Sequence, residues 1–116
     1  MVIGKTFKFE SSHNIIGHPK CGQLHGHTYK LTVEVEGFIN EKTDMVMDYH
    51  ELSEIVNRLV VDKYDHTHLN TTMPCQPTCE RLVFIIFNAL KVEIPLLYAV
   101  ILQEGEGGYA RLTRQD

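Results

Sequence analysis

Between Gly26 and Glu36, apolar and polar side chains alternate without interruption, and this pattern constrains the fold more than any other part of the chain. The alternation places five residues on one face: His27, Tyr29, Leu31, Val33 and Val35. The other face carries only threonine, lysine and glutamate side chains, and a period of two is typical of a strand with one buried side. Ile3 to Glu10 alternates similarly, with Phe7 and Phe9 on its apolar face. The sequence therefore predicts two half-buried strands.

Two amphipathic helices are predicted in the middle of the chain. The first begins at Asp48, which is followed by Glu51 in the arrangement of a capping box. The apolar residues of this helix fall on one face: Leu52, Ile55, Val56 and Leu59. The second helix begins after Thr78, whose hydroxyl can cap it, and ends before Pro95. Each helix therefore has a face suited to packing against a sheet.

Two further strands are predicted after the helices. Tyr98 to Gln103 is an apolar run of strand length, and the glycines that follow make a turn into a last strand at Tyr109 to Leu112. This order predicts an α+β fold, with a four-stranded antiparallel sheet and two helices packed on one face. Residues 1–116 match the size of a single domain, and no repeat or linker divides them.

Charge and cysteine content exclude several classes of protein. The formal net charge of -4 and the pI near 5.9 argue against nucleic acid or an anionic membrane as the main partner. No stretch approaches the ~20 apolar residues that a membrane span requires. Three cysteines, an odd number without a secretory signal, argue against a disulfide framework. We therefore expect a cytoplasmic protein.

Three histidines and one cysteine form the main chemical signal. His25 and His27, separated by one glycine, point to the same side of an extended strand. His13 continues the parity of Phe7 and Phe9, so it faces the buried side if the first strand stays extended. Three imidazole ligands leave a tetrahedral zinc with one open position, which is the pattern of catalytic sites. Cys21 lies four positions before His25 and is a candidate reactant.

Each of these residues also has a structural interpretation. A buried histidine is more often a hydrogen-bonded core residue than a metal ligand, and a free cysteine is often a small buried hydrophobe. Asp65 and His66 stand where the first helix ends, and a polar pair there can simply terminate a helix. Glu104 follows an apolar strand directly, where a carboxylate is costly to bury unless it meets donors. The residues alone leave these alternatives open.

The chain resembles the family of 6-pyruvoyltetrahydropterin synthase and 6-carboxytetrahydropterin synthase over nearly its whole length. The resemblance lies in six segments, in matching order and separation: Phe9 to His13, Cys21 to His27, Met45 to Tyr49, Tyr64 to Asn70, Pro77 to Glu80, and Glu104. It implies the tunnelling fold, in which subunits form barrel-like trimers and two trimers form a hexamer. It therefore implies a homohexamer with sites between subunits.

The resemblance also implies a catalytic apparatus. A zinc ion, Zn2+, would be held by the three histidines His13, His25 and His27. Cys21 would act as the base, and His66, oriented by Asp65 and supplied by a neighbouring subunit, would relay protons. The other histidines and cysteines match no family position and are assigned to surface or loop roles: His18, His50, His68, Cys75 and Cys79.

Substrate contacts are implied at the second helix and after the third predicted strand. Glu104, counted both among the catalytic residues and as the pterin anchor, would accept from the 2-amino group and the ring N–H of the pterin. Thr78 and Glu80 would add further pterin contacts, although Thr78 can also serve only as a cap. The chain departs from the family pattern at Gly105, where most relatives have threonine, and at Asn14, where many have arginine.

The implied substrate is 7,8-dihydroneopterin triphosphate. Only three residues separate Cys21 from His25, which resembles the branch that forms 6-carboxy-5,6,7,8-tetrahydropterin with release of acetaldehyde and triphosphate, on the way to queuosine. The pyruvoyl branch, which eliminates triphosphate and keeps the side-chain carbons, is the first alternative. A non-catalytic subunit that binds zinc and pterin is the second. No nicotinamide is needed, because the redox change is internal to the substrate.

Overall fold

The two alternating segments form the longest strands of the structure, a computed structural model that describes residues 1–116. They are β1 (Val2–His13) and β2 (His25–Glu36), which pair antiparallel along their whole length. β1 stays extended as far as His13, so the predicted parity holds and His13 lies on the buried face with Phe9. The register pairs His13 with His25 across the two strands.

A helical run and a second principal helix follow these strands. The run consists of α1 (Tyr49–Val56), a π-helical segment (Asn57–Val61) and α2 (Asp62–Tyr64). The remaining elements are β3 (Thr67–His68), α3 (Leu69–Thr72), α4 (Cys79–Leu90), β4 (Leu97–Glu104) and β5 (Gly108–Thr113). No helix in the structure is long and apolar enough to cross a membrane.

The sheet has five strands rather than the four predicted, in the order β3-β1-β2-β4-β5. The additional strand, β3, pairs parallel with β1 through Ser11–Thr67 and Ser12–His68, so the sheet is also not wholly antiparallel. Two residues are too few to display a period of two, and β3 forms only because β1 offers its backbone at that edge. The other four strands are antiparallel neighbours, as predicted.

Both predicted helix caps are present. The Asp48 carboxylate accepts from the backbone N–H of His50 at 2.8 Å, and the Thr78 hydroxyl accepts from the backbone N–H of Arg81 at 3.2 Å. Each cap satisfies one of the N–H groups that a helix leaves free in its first turn. The Thr78 cap fixes where α4 begins, beside the end of β1.

One face of the sheet and the helices enclose the core. α4 packs on β4 and β5, and the run from α1 to α2 packs on β1. The largest fully buried apolar side chains come from the sheet, the helices and their connections: Phe9, Tyr29, Leu31, Leu52, Leu69, Leu82, Ile86, Leu90, Ile94 and Leu102. His13 is only 2% exposed, at the end of this same layer. The three histidines therefore lie where the core meets the open end of the β1–β2 pair.

Candidate functional site

The three predicted metal ligands converge at the open end of the β1–β2 pair. One ring nitrogen from each of His13, His25 and His27 can be chosen so that all three lie within 4.8 Å of one another. The Nε2 atoms of His13 and His25 are 3.0 Å apart. This convergence follows from the strand register, because His13 and His25 are direct partners and His27 points to the same side as His25.

The outer nitrogens of two of these rings are fixed by backbone carbonyls. His13 Nδ1 donates to the Pro77 carbonyl oxygen at 2.8 Å, and His25 Nδ1 donates to the Gln23 carbonyl oxygen at 2.7 Å. A carbonyl only accepts, so in the neutral rings the protons sit on Nδ1 and the Nε2 lone pairs face each other. Partners of this kind orient metal-ligating histidines. Two lone pairs 3.0 Å apart require a cation or a proton between them.

The ring of His27 also has a nitrogen atom without a hydrogen-bond partner. His27 Nε2 is buried and has no hydrogen-bond partner, although Glu104 Oε1 lies 3.2 Å away, close enough for an ion pair but not aligned for a hydrogen bond. Burial lowers the pKa of His27; Glu104 opposes the shift, and His13 and His25 reinforce it. Three imidazoles whose ring nitrogens converge in this way fit a divalent cation that keeps a free coordination position.

A cavity of about 650 Å³ opens beside the histidine cluster. It is lined by five of the predicted site residues: His13, Cys21, Thr78, Glu80 and Glu104. Cys21 and Glu104 are each partly buried, so both can be desolvated by a bound molecule while still reachable from solvent. The structure thus gathers the candidate base, the candidate anchor and one predicted metal ligand around one small-molecule-sized space.

Two residues that the sequence did not place at the site belong to its surroundings: Tyr29, which contacts His13 without lining the cavity, and Cys79. Tyr29 is fully buried and lies 3.4 Å from His13 Nδ1 through its hydroxyl. Cys79, which the sequence assigned to a surface or loop role, instead lines the cavity and donates its S–H to the Leu102 carbonyl at 3.2 Å. Cys79 directly follows the predicted Thr78 cap, and this adjacency could have predicted its place in the cavity lining.

The Asp65–His66 pair is fastened to the edge of β1. Asp65 Oδ1 accepts the backbone N–H of Glu10 at 2.8 Å, and the backbone N–H of His66 donates to the Glu10 carbonyl at 2.6 Å. The bond from Glu10 and then the contact with His66 lower the pKa of Asp65. His66 Nδ1 lies 2.9 Å from Asp65, and its backbone adopts the left-handed conformation, with φ of 58°.

Within one subunit, however, the pair does not share the cavity of Cys21. His66 lines a second cavity, of about 550 Å³, at the β1–β3 edge of the sheet together with Glu10, Ser12, His27 and Thr28. The His66 side chain is 78% exposed, so its outer nitrogen is free to meet a group from outside the subunit. The two halves of the predicted proton relay therefore lie apart in a single chain.

Alkylation should separate the two cysteines that were assigned no function. We expect iodoacetamide at pH 8 to label Cys75, which is exposed, well before Cys79. Burial, followed by the nearby Glu104, raises the pKa of Cys79 to about 11. Only about 0.1% of that thiol is then the reactive thiolate at pH 8, and its labelling should accelerate as pH rises toward 11. Peptide mapping by mass spectrometry measures both rates. Equal labelling of the two residues at pH 8 would contradict the buried position of Cys79.

The fold and these side chains define an α+β protein whose three-histidine centre opens onto a small-molecule cavity. The family model described as 6-pyruvoyl tetrahydropterin synthase matches residues 2–115. The chain therefore belongs to the 6-pyruvoyl tetrahydropterin synthase family, as the sequence resemblance predicted.

Individual relatives agree with this assignment. A protein of Archaeoglobus fulgidus, provisionally named 6-carboxy-5,6,7,8-tetrahydropterin synthase, is 40% identical over 114 residues, which cover 98% of this chain and 96% of that protein. The 6-carboxy-5,6,7,8-tetrahydropterin synthase of Haemophilus influenzae is 35% identical, covering 77% and 81% of the two chains. The solved structure of Caenorhabditis elegans 6-pyruvoyl tetrahydropterin synthase superimposes with a TM-score of 0.89 at 22% identity, covering 97% of this chain and 94% of that one. At 22% identity, the similarity to the Caenorhabditis elegans structure shows the shared fold alone.

Proposed function

We propose that the protein is a zinc-dependent lyase that converts 7,8-dihydroneopterin triphosphate to 6-carboxy-5,6,7,8-tetrahydropterin, with release of acetaldehyde and triphosphate. One observation carries the proposal. A thiol, a carboxylate and a three-histidine centre meet at one cavity, with Cys21, Glu104 and His13 all in its lining. The two relatives described above, from Archaeoglobus fulgidus and Haemophilus influenzae, bear the name of this activity.

The three histidines would hold the zinc, with Pro77 and Gln23 orienting the rings of His13 and His25. When bound, the ion would supply Lewis-acid polarisation of the hydroxyl groups on the substrate side chain. Burial lowers the pKa of His27, which weakens the competition of a proton with the metal at that ring. The donor set therefore suits a cation that must stay accessible to substrate.

Cys21 would take a proton from the substrate side chain as a thiolate, and the Asp65–His66 pair of a neighbouring subunit would return protons to the ring. The position of the pair supports an origin in a second subunit, since His66 is exposed and lines a different cavity from Cys21. Asp65 holds His66 Nδ1, which leaves Nε2 to exchange the proton.

Glu104 would anchor the pterin. Glu104 lines the cavity together with Cys79, and Tyr29 is its register partner on β2. Burial, and then Glu104, raise the pKa of both Cys79 and Tyr29, so each stays protonated at neutral pH. A carboxylate can accept two parallel N–H bonds from the planar edge of a pterin. Thr78 and Glu80, at the capped start of α4, line the same cavity and would add further contacts.

Assembly into a homohexamer of two trimers is part of the proposal. Both edges of the sheet offer unpaired backbone: β5 has no outer partner, and β3 covers β1 only at Ser11 and Ser12. Open strand edges invite pairing with another chain. Closing a ring of subunits through these edges would bring the relay pair of one subunit toward a neighbour.

Product analysis tests the proposed activity. Purified protein with zinc and 7,8-dihydroneopterin triphosphate should yield 6-carboxy-5,6,7,8-tetrahydropterin by mass spectrometry and acetaldehyde in equal amount, trapped as a hydrazone. A reaction without protein is the control. An intact three-carbon side chain without acetaldehyde would instead identify the pyruvoyl-forming reaction. Binding of zinc and pterin without any product would identify a non-catalytic subunit, and either result would overturn the proposal.

A further inference from the structure

His18 makes a specific contact with the backbone of the candidate base. Its ring atom Nδ1 accepts the backbone N–H of Cys21 at 2.8 Å and that of Lys20 at 3.1 Å. A backbone N–H can only donate, so His18 Nδ1 carries no proton and the neutral ring is protonated on Nε2. The sequence assigned His18 to a surface or loop role, and the structure gives that role a definite target.

Backbone hydrogen bonds fasten the same loop at further points, among them a long one of 3.4 Å from the Gln23 N–H to the Lys20 carbonyl. The Ile15 N–H donates to the Cys21 carbonyl at 2.6 Å, the His18 N–H donates to the Ile15 carbonyl at 3.2 Å, and the Gly22 N–H donates to the His18 carbonyl at 2.9 Å. A Cβ on Gly22 would lie 2.4 Å from that last carbonyl oxygen, so only glycine permits the approach. Both peptide groups that flank the Cα of Cys21 are therefore anchored. The one before it is held by the His18 ring at its N–H and by the long bond from Gln23 at its carbonyl.

His18 also lines the 650 Å³ cavity together with Cys21 and Glu104. The loop that it fastens is the connection between β1 and β2, which bear the metal-ligating histidines at their ends. Without the imidazole acceptor, the N–H groups of Lys20 and Cys21 would turn to water. The direction of the Cys21 side chain relative to the histidine centre would then be restrained only by the remaining backbone bonds.

We propose that His18 is a positioning residue for Cys21, which acts through the hydrogen bonds that its Nδ1 accepts from the loop backbone. The proposal rests on the function proposed above only in naming Cys21 as the base. That the acceptor nitrogen of His18 holds the conformation of the loop around Cys21 does not depend on which product forms.

Two substitutions separate the acceptor from the ring. In His18→Asn, the side-chain oxygen is attached to Cγ as Nδ1 is in histidine, and asparagine accepts from N–H groups two and three residues on in turns and caps. His18→Leu keeps a branched side chain but has no acceptor. Both variants are made in a Cys75→Ser background, which removes the exposed thiol.

We expect His18→Leu to lower kcat about 10- to 100-fold, which is the usual effect of losing a residue that orients a functional side chain by hydrogen bonding. KM should change less than about twofold. Release of the loop should raise the rate of Cys21 alkylation about threefold or more, because local opening exposes a half-buried thiol. His18→Asn should stay close to the background protein in both measurements. Zinc content and thermal unfolding confirm that each variant is folded.

Failure of this proposal and failure of the proposed function give different results. If no product forms, the lyase assignment fails, while the alkylation rates still decide the role of His18. Equal alkylation in all three proteins would overturn the positioning role, and so would an Asn variant as impaired as the Leu variant. Should His18→Leu not fold, 15N-histidine NMR of the unaltered protein decides: a neutral His18 protonated on Nδ1 would overturn the proposal.

Discussion

Replacing His25 with alanine should remove bound zinc and lower the rate of product formation by about a thousandfold or more, equivalent to a loss of about 4 kcal/mol of transition-state stabilisation. His25 Nε2 lies 3.0 Å from His13 Nε2. A site with two histidine ligands should bind zinc much more weakly than a site with three. Elemental analysis of the dialysed protein gives the zinc content, and steady-state kinetics give the rate.

His50→Ala is the matched control for this experiment. His50 is also a histidine, but its side chain is exposed at the start of α1 and only its backbone N–H takes part in the helix cap. Its replacement should leave both zinc content and rate unchanged. A His25→Ala protein that kept one zinc per subunit and the wild-type rate would show that the histidine cluster does not hold the catalytic metal.

Cys21→Ala should lower kcat by about 10²- to 10⁴-fold, the usual contribution of a positioned acid or base. Zinc content should be retained, because the three histidines and their carbonyl partners do not depend on the thiol. Pterin binding, measured by fluorescence titration, should change little, since Glu104 remains at the cavity wall. The loss should therefore lie in kcat rather than in affinity.

Cys75→Ala is the corresponding control, because it removes an exposed thiol that does not line the cavity of Cys21. It should turn over at the wild-type rate. A Cys21→Ala protein that turned over equally fast while holding its zinc would exclude Cys21 as the base. In that case the search for a base would turn to Glu80, the other cavity carboxylate near the capped end of α4.

Much of the sheet could be predicted because its signals are local. Alternation over Gly26 to Glu36 is long enough to define a face, and the parity of His13 with Phe9 needed only an uninterrupted strand, which β1 provides. The caps at Asp48 and Thr78 also depend on neighbours in sequence. β3 could not be predicted in this way, because its two residues are ordered by partners more than fifty positions away on β1.

In the candidate site, too, the features that depend on neighbours in sequence could be predicted and those that depend on distant residues could not. The identity of the three histidines could be predicted from spacing, but the tautomers of His13 and His25 depend on the carbonyls of Pro77 and Gln23, which no sequence pattern reveals. The family resemblance implied that Asp65 orients His66, and the two side chains are in contact, with His66 Nδ1 2.9 Å from Asp65. The sequence adjacency of the two residues carried no information about which cavity they enter, since that depends on how the chain after α2 meets the edge of β1.

The carbonyl of Pro77 joins two parts of the molecule. It accepts from His13, while Thr78 and Glu80 follow it at the start of α4 and line the cavity. A cation that restrained the His13 ring would therefore also restrain the beginning of α4, and a ligand that ordered α4 would restrain the His13 ring. Any such coupling between the two places would be reciprocal. The factor by which the metal tightens ligand binding must equal the factor by which the ligand tightens metal binding.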